Sequence, residues 1–537
     1  MTESVDGSGE LPPGWAWARL DDLGRWSGGG TPSKQVRSFW ENGSIPWVSP
    51  KDMKADYVGT GTDRITDAAV ANSTVKLVKA GSVLCVVRSG ILRHTFPVAI
   101  AECDVTLNQD MRALTSHEGI DSRYLQFFLR SQNQRILREC AKDGTTVSSI
   151  DGSRLEQLRV PLAPADEQRR IVLRIEELFG EIEAGEQELE KAREGLTAYR
   201  LSILKAAVTG ELTRDWRERN VPNETGAGLL AQVLNEQHAT IGAACGAKSG
   251  WRAKGSKEVG LKTDRISSYA LDKSHLGTLP DSWVAVRVGD VGFVQLGRQR
   301  APQHHSGPYM RPYLRVANVF EDRIDVADVM CMNFTPDEFE SYKLQAGDIL
   351  LNEGQSLELV GRAAIYREEL PGACFTNTLV RFRAGQSLVP EFALLVFRHW
   401  MRDRTFQRIA KITTNIAHLG AGRFADLAFP LPPLSEQHVA VQRATELLSA
   451  IDEAEREIGA QADEAKRLRQ SILSAAFSGK LAPQDQSEEP ANALLERLQI
   501  MNSSRRSLDK GNATVERRGK RSGRRRRPSD AVREDML

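Results

Sequence analysis

Few residue patterns in this chain could support catalysis. Metal-dependent nucleases need an acid two positions before a lysine, to hold the ion and orient water. Only Asp52-Met53-Lys54 and Glu464-Ala465-Lys466 have that spacing. The second lies in a charged helical stretch and reads as a solvated face; the first lacks an upstream Pro-Asp partner and reads as structural. Adjacent His304 and His305 would point apart, which is poor geometry for a shared metal. The six cysteines (Cys85, Cys103, Cys140, Cys245, Cys331, Cys374) show no CxxC spacing and read as reduced structural thiols. No GxSxG elbow, HExxH pair or dinucleotide fingerprint occurs. The stretch SGGGTPSKQ (27–35) lacks the phosphate-loop spacing and reads as an exposed loop. The expectation is a non-catalytic chain with no metal and no cofactor of its own.

The chain does offer hydrogen-bonding side chains among glycine-rich turns. In the first half these are Thr31, Ser33, Lys34, Arg88, Arg93, Gln109, Thr145 and Thr146. In the second they are Arg298, Arg300, Gln303, His304, Arg315, Asn318, Gln355, Arg362, Asn377, Thr413 and Asn415. Arg matches guanine, and Asn or Gln matches adenine, through paired donors and acceptors in the DNA major groove. Such residues occur on any loop, so the set is a pool of candidate DNA contacts rather than a map.

The elements that must position them are written twice. The segment from Pro161 to Leu212 returns from Pro430 without a gap, offset by about 269 residues. Fainter echoes precede it: LPPGWAWARLDDLG from Leu11 and LPDSWVAVRVGDVG from Leu279, then KLVKAGSVL from Lys76 and KLQAGDIL from Lys343. Each half is a diverged α/β (α+β) head followed by a preserved long helix. Strands are expected at SVLCVV (from Ser82), DILLNE (from Asp348) and LVRFRA (from Leu379). Head helices are expected at 122–140 and 390–410. The segments are a first head (1–160), first rod (161–212), linker with a short helix (213–277), second head (278–429), second rod (430–482), and a short helix with a basic tail (483–537).

In the first rod, apolar positions Ile171, Ile175, Leu178, Ile182, Leu189, Leu196, Tyr199 and Ile203 follow the alternating steps of a coiled-coil seam. The second carries Leu447, Ile451, Ile458, Leu468 and Ile472 in register. Asp166 and Ser435 are the expected N-caps, and Gly210 and Gly479 the left-handed ends. About 43 helical residues make a rod of roughly 65 Å. The expected arrangement is an antiparallel coiled coil with pseudo-two-fold repetition; the competing one packs each rod on its own head. Small residues such as Gly185, Ala192 and Ala444 make the seam thin, as suits a bundle completed by helices of another protein.

Length and composition fit this organisation. The 537 residues suffice for several compact units, with 40% hydrophobic and 27% charged residues, as in soluble globular proteins. No apolar run approaches the ~20 residues of a membrane span, and the N-terminal residues lack the features of a signal peptide. Net charge is +1, but the final stretch holds the run Arg524–Arg527, leaving the remainder slightly acidic. Nucleic-acid contacts must then come from local patches or from partners. Two readings of the tail stand: a non-specific DNA hold, or a solubilising end.

PLAPADEQ and PLPPLSEQ at the rod starts, SILKAAVTGEL and SILSAAFSGKL at their ends, IPWVSPKDM (from Ile45), VTLNQDMRAL (from Val105) and LLNEGQSLELVGRAAIY (from Leu350) resemble the specificity subunit of type I restriction–modification systems. The resemblance extends from Leu11 to Leu481. It implies two target-recognition domains, each reading one half of a split, asymmetric target in double-stranded DNA. The paired rods would set the spacer and dock two methyltransferase (M) subunits, which bind S-adenosylmethionine and methylate adenine. Separate restriction (R) subunits would use ATP and Mg. Localisation would be cytoplasmic, with the nucleoid. Two other readings stay open: a coiled-coil scaffold that does not read DNA, and a head carrying its own nuclease or methyltransferase site.

Overall fold

A computed structural model describes residues 10–142, 147–220, 228–229, 231–233, 235, 271–413 and 416–501. The candidates Thr145, Thr146 and Asn415, the basic linker stretch from Cys245 and the Arg-rich tail lie outside the described residues. The chain divides into two compact units that are not contiguous segments: 1–188 with 460–537, and 189–459.

The two rods are helices of identical length, Ala165–Val208 and Leu434–Phe477. Their boundaries are 269 residues apart at both ends. Each starts directly after a proline, so Asp166 and Ser435 fall in the first turn and not at the N-cap. Proline loses no hydrogen bond at this position, and its carbonyl accepts the N–H of Gln168 (2.9 Å) or Gln437 (3.0 Å). The ends are as expected, with Gly210 at φ +79° and Gly479 at φ +70°. Each rod gives its first half to the unit of the head before it and its second half to the other unit.

In the first unit, a five-stranded sheet runs in the order Gly24–Gly28, Met111–Ser116, Val83–Val86, Val98–Ala101, Tyr57–Val58. A four-stranded sheet joins Asp63–Ile65, Ile45–Val48, Val105–Leu107 and Leu77–Val78. VLCV and VAIA are buried along their whole length, which continuous apolar runs require. The expected helix over 122–140 is two, Ser122–Ser131 and Asn133–Glu139. It packs Tyr124 and Phe128 against Phe477, the last residue of the second rod, with ring centroids 5.1 and 5.3 Å apart. Ile171, Val172 and Ile175 share one apolar cluster with Ile472, Leu473 and Ala476. Residues 491–501 form a helix that closes this cluster with Leu494, Leu495 and Leu498.

The second unit repeats the plan. Its main sheet orders Gly292–Leu296, Leu379–Ala384, Ile349–Asn352 and Ala363–Ile365. A three-stranded sheet joins Met330–Asn333, Met310–Leu314 and Cys374–Phe375. The helix expected over 390–410 breaks into Pro390–Arg402 and Thr405–Ile409, because Arg404 adopts φ +67°. Ile203, Leu204, Ala207 and Val208 share a cluster with Ala440, Ala444, Leu448 and Ile451. After the first rod, Leu229 and Val233 bury in this cluster as Leu494 and Leu498 do in the first. In both units the head's first strand pairs antiparallel with the strand just before its rod: Ala16–Arg19 with Arg159–Leu162, and Val284–Arg287 with Ala428–Leu431.

Within each unit the rods run antiparallel. In the second, Arg200 meets Asp452 (2.7 Å) and Glu455 (3.0 Å), while Arg443, earlier on the second rod, meets the Leu212 carbonyl (2.8 Å). In the first, Glu186 meets Arg469 (2.5 Å), and Arg170 reaches the Pro483 carbonyl (3.2 Å). Rod also packs on head, so each of the two expected arrangements describes part of the result. Ile171, Ile175, Ile203, Ile451 and Ile472 are buried, and Leu178, Ile182, Leu189, Leu196, Leu447 and Ile458 half-buried. Tyr199 (50% exposed) and Leu468 (47% exposed) are not seam residues. Their neighbours Arg200 and Arg469 turn inward instead. An unsupercoiled helix drifts by roughly 20° per heptad against a strict heptad pattern, and an arginine tolerates the inner face when carboxylates pair it.

Candidate nucleic-acid interface

In the first head, strand Gly24–Gly28 runs into a loop pinned by its backbone. Gly29 N–H donates to the Met111 carbonyl (3.2 Å) and Gly30 N–H to that of Leu107 (2.8 Å). A β-carbon on Gly29 would lie 1.8 Å from the Asn108 carbonyl oxygen. The glycines therefore allow close backbone approach, and Gly30 is buried rather than exposed. Past them the Thr31 hydroxyl donates to Gln109, and Ser33 and Lys34 face solvent. The adjoining turn holds Asp110, which pairs with Arg88 Nε (2.5 Å). Beside Arg88 lies the hairpin Ala141–Lys142 and Ser149–Ile150, joined through Ile150 N–H to the Val87 carbonyl (2.8 Å) and Ser89 N–H to that of Ser148 (3.1 Å). Thr31, Gln109 and Arg88 thus share one polar edge with the hairpin. Arg93 is exposed at the end of the short helix Gly90–Arg93 that follows.

The second head has the same edge with other side chains. Gly297 N–H donates to the Leu379 carbonyl (3.1 Å), and its β-carbon would lie 2.1 Å from the Thr376 oxygen. Asn377 follows that position as Gln109 follows Asn108. Gln355 lies on strand Gly354–Gln355, paired with Ile416–His418, which pairs with Lys411–Thr413. Asn377, Gln355 and Thr413 belong to this edge, and Thr413 is exposed. Arg300 and Gln303 are exposed on the preceding loop, with the Arg300 guanidinium 5.7 Å from the Tyr313 ring centre.

Five candidates of the second head make contacts within the protein. Arg298 is 7% exposed, bonded to Glu338 (2.9 Å) and the Asn333 carbonyl (2.7 Å), and stacked on Phe334. His304 is held by it at 3.2 Å. Asn318 is buried, accepting from Arg315 N–H (3.0 Å) and donating to the Asp325 and Asp328 carbonyls. Arg315 pairs with Asp328 (2.5 Å). Arg362 lies on the Phe320 ring, where burial lowers its pKa. Arg298 and Asn318, both buried, spend their donors inside the head, which turns them away from a base. Arg315 and Arg362 are half-buried and each keeps a buried Nε without a partner among the described residues. Their residue types show donors; only the fold shows where those donors are used. Asp52 is likewise a turn cap: partial burial opposes ionisation, but hydrogen bonds from Thr62 and Ser49 outweigh it and hold the carboxyl below its usual range.

Four positioning residues were missed at the sequence level. Gln168 is fully buried at the first rod's start. Its amide donates to the Ala163 carbonyl (2.9 Å) and accepts from Asp121 N–H (3.0 Å), which caps the head helix Ser122–Ser131. Gln437, 269 residues on, donates to the Pro432 and Ser387 carbonyls (both 2.9 Å) and accepts from Val389 N–H (2.8 Å) at the start of Pro390–Arg402. Beside them Glu167 accepts from Trp15 Nε1 (3.0 Å), and Glu436 from Thr213 (2.6 Å) and Arg217. The repeated Glu-Gln pair at the rod starts was the available signal.

Among the described residues no helix is long and apolar enough to cross a membrane, and no cluster of three or more His, Cys, Asp or Glu could hold a metal. The family model described as "Type I restriction modification DNA specificity domain" matches residues 12–191 and 280–462. The chain is 46% identical over 156 residues to the type I restriction enzyme EcoR124I/EcoR124II specificity subunit of Escherichia coli, covering 29% of this chain and 39% of that protein. It is 22% identical over 514 residues to the StySPI specificity subunit of Salmonella potsdam, covering 91% of this chain and 96% of that one. A solved chain from work on complex assembly and conformational transition of the type I R-M system superposes with a TM-score of 0.58 at 16% identity, covering 88% of this chain and all of that one. This last likeness concerns the fold alone.

Proposed function

The chain belongs to the type I restriction modification DNA specificity domain family, and from that premise we propose that it is the DNA-recognition subunit of a type I restriction–modification complex. Each head reads one half of a bipartite, asymmetric target. The single observation that carries this reading is the shared edge: a glycine-pinned loop, a turn and a hairpin, built alike in both heads but presenting different polar groups. A common frame with unlike side chains is what two unlike half-sites require, because base identity is read by the pattern of donors and acceptors. The contacts proposed for the first half-site are Thr31, Ser33, Lys34, Arg88, Arg93 and Gln109. Those for the second are Arg300, Gln303, Gln355, Asn377 and Thr413. Thr145, Thr146 and Asn415 complete the pool.

The subunit does no chemistry itself in this proposal. Two M subunits dock on the rods, bind S-adenosylmethionine and methylate adenine, while R subunits use ATP and Mg to translocate and cut DNA. Partners share the phosphate contacts, which accords with a net charge of +1. The work takes place at the nucleoid.

Methylome sequencing of a host carrying the system tests the proposal. The expected result is a split methyladenine motif that disappears on deletion of this chain, and of which one half changes when residues 280–429 are exchanged for those of a relative. An unaltered motif after both manipulations would instead mark the chain as a scaffold.

A further inference from the structure

A nearly neutral chain that touches a duplex needs local cationic patches to hold phosphates. In the second head the helix Pro390–Arg402 is followed by Arg404 in the left-handed region, φ +67° and ψ 19°, where a residue with a β-carbon is strained. This reversal brings Arg404 and Arg408 to one open cavity of about 500 Å³, also lined by Leu357, Glu358 and Gln407. Arg423 ties the following short helix to the hairpin: its Nε donates to the Ile409 carbonyl (2.7 Å) and its Nη2 to that of His418 (2.8 Å). Lys411 is exposed at the hairpin's first position. Cations therefore stand at the foot of a hairpin whose outer residues Ile412 and Ile416 are 59% and 48% exposed. Arg408 pairs with Asp403 (3.6 Å), which also accepts from Thr405 N–H (2.9 Å), and one acid, Glu358, shares the cavity.

The first head keeps part of this arrangement, without the left-handed residue. Lys142 precedes Lys411, and Arg154 precedes Arg423, by the 269 residues that separate the rods. Arg154 donates to the Glu139 carbonyl (3.1 Å) at the equivalent helix end, and Arg138 is exposed beside it. At this offset Arg135 and Lys142 answer Arg404 and Lys411, but Glu139 stands where Arg408 does. Glu139 pairs with Arg135 (2.8 Å) and Arg138 (3.0 Å), and Lys142 pairs with Asp151 (3.6 Å), so the cationic cluster belongs to the second head.

We propose that Arg404, Arg408 and Lys411 form a phosphate-binding collar of the second head that grips the DNA backbone next to the bases faced by the hairpin. This rests on the DNA-reading proposal above and assigns its sequence-independent part. The test uses the full chain assembled with its methyltransferase partner, titrated at several salt concentrations with a duplex carrying the mapped target and with a random duplex. The variants are R404G, R408Q and K411Q, singly and combined. Each lost phosphate contact should flatten the dependence of log K on log salt by roughly 0.9, with both duplexes weakened by a similar factor. Glycine accepts the left-handed backbone without strain, so R404G should keep or raise the melting temperature while lowering DNA affinity. An unchanged salt slope, a loss confined to the target duplex, or an R404G defect that follows a lowered melting temperature would overturn the collar. If the unaltered assembly failed to prefer the target duplex, the recognition proposal would fall, and the random-duplex slopes would still decide on the collar.

Discussion

Gln437 illustrates how much one buried amide can hold. It joins the end of the last head strand, the turn at Ser387 and the start of the helix at Val389. Replacing it with leucine keeps the volume but strands one N–H and two carbonyls, each costing about 1–3 kcal/mol before relaxation. Q437L should therefore lower the urea-unfolding free energy by about 2–4 kcal/mol, whereas Q442L, at an exposed site, should change it by less than about 0.5 kcal/mol. Asp215 allows a pH prediction of the opposite, exposed kind. Hydrogen bonding from Arg443 brings its carboxyl from 3.8 down to about 2. A carboxyl depressed in the folded state stabilises above its unfolded value and loses that contribution as pH falls through its folded value. The small difference in urea midpoint between the protein and D215N should thus be full above about pH 4, vanish near pH 2, and shrink with added salt. A difference that persists below pH 2 would contradict the assignment.

At the scale of elements, the rods are more polar than a coiled coil built for its own stability. Arg200, with a side chain only 13% exposed, occupies the inner face and is paired by Asp452 and Glu455. Arg469 and Glu186 form the counterpart in the first unit, with both residues shifted by 269 from Arg200 and Glu455. Tyr199 and Leu468 are shifted by the same number and are both displaced to the outside. Duplicated apolar residues that stay about half exposed on an outer helix face offer a surface to a partner in the proposed assembly. The double variant Y199S/L468S should unfold at the same urea midpoint within error and yet recover markedly less methyltransferase subunit on co-purification. Equal recovery would remove these residues from the docking face.

At the scale of the molecule, both units draw on both rods. A length change in one rod would break its ion pairs with the other, whereas matched changes preserve them. Inserting four helical residues after Leu189 and four after Ile458 adds about 6 Å to each rod. In the proposed complex this should alter the spacer by about two base pairs at roughly 3.4 Å each and leave both half-sites intact, as read by methylome sequencing. The same spacer in an insertion variant that folds would remove the rods from spacer control.

Repetition, the C-terminal ends of the rods and the mixed character of the heads were legible in the sequence because they depend on local chemistry. A gapless repeat announces duplicated structure, glycine announces a left-handed terminus, and apolar runs such as VLCV announce buried strands. The diverged heads on a preserved frame also carried the functional resemblance. Which polar residues stay free to meet a ligand was decided by the tertiary structure alone. Arg298 and Arg300 are the same residue type two positions apart, yet one is locked between Glu338 and Phe334 while the other faces solvent. The same holds for Tyr199 and Arg200, whose places a heptad count exchanges. Burial, pairing and the direction of a side chain depend on neighbours distant in sequence, and no local pattern encodes them.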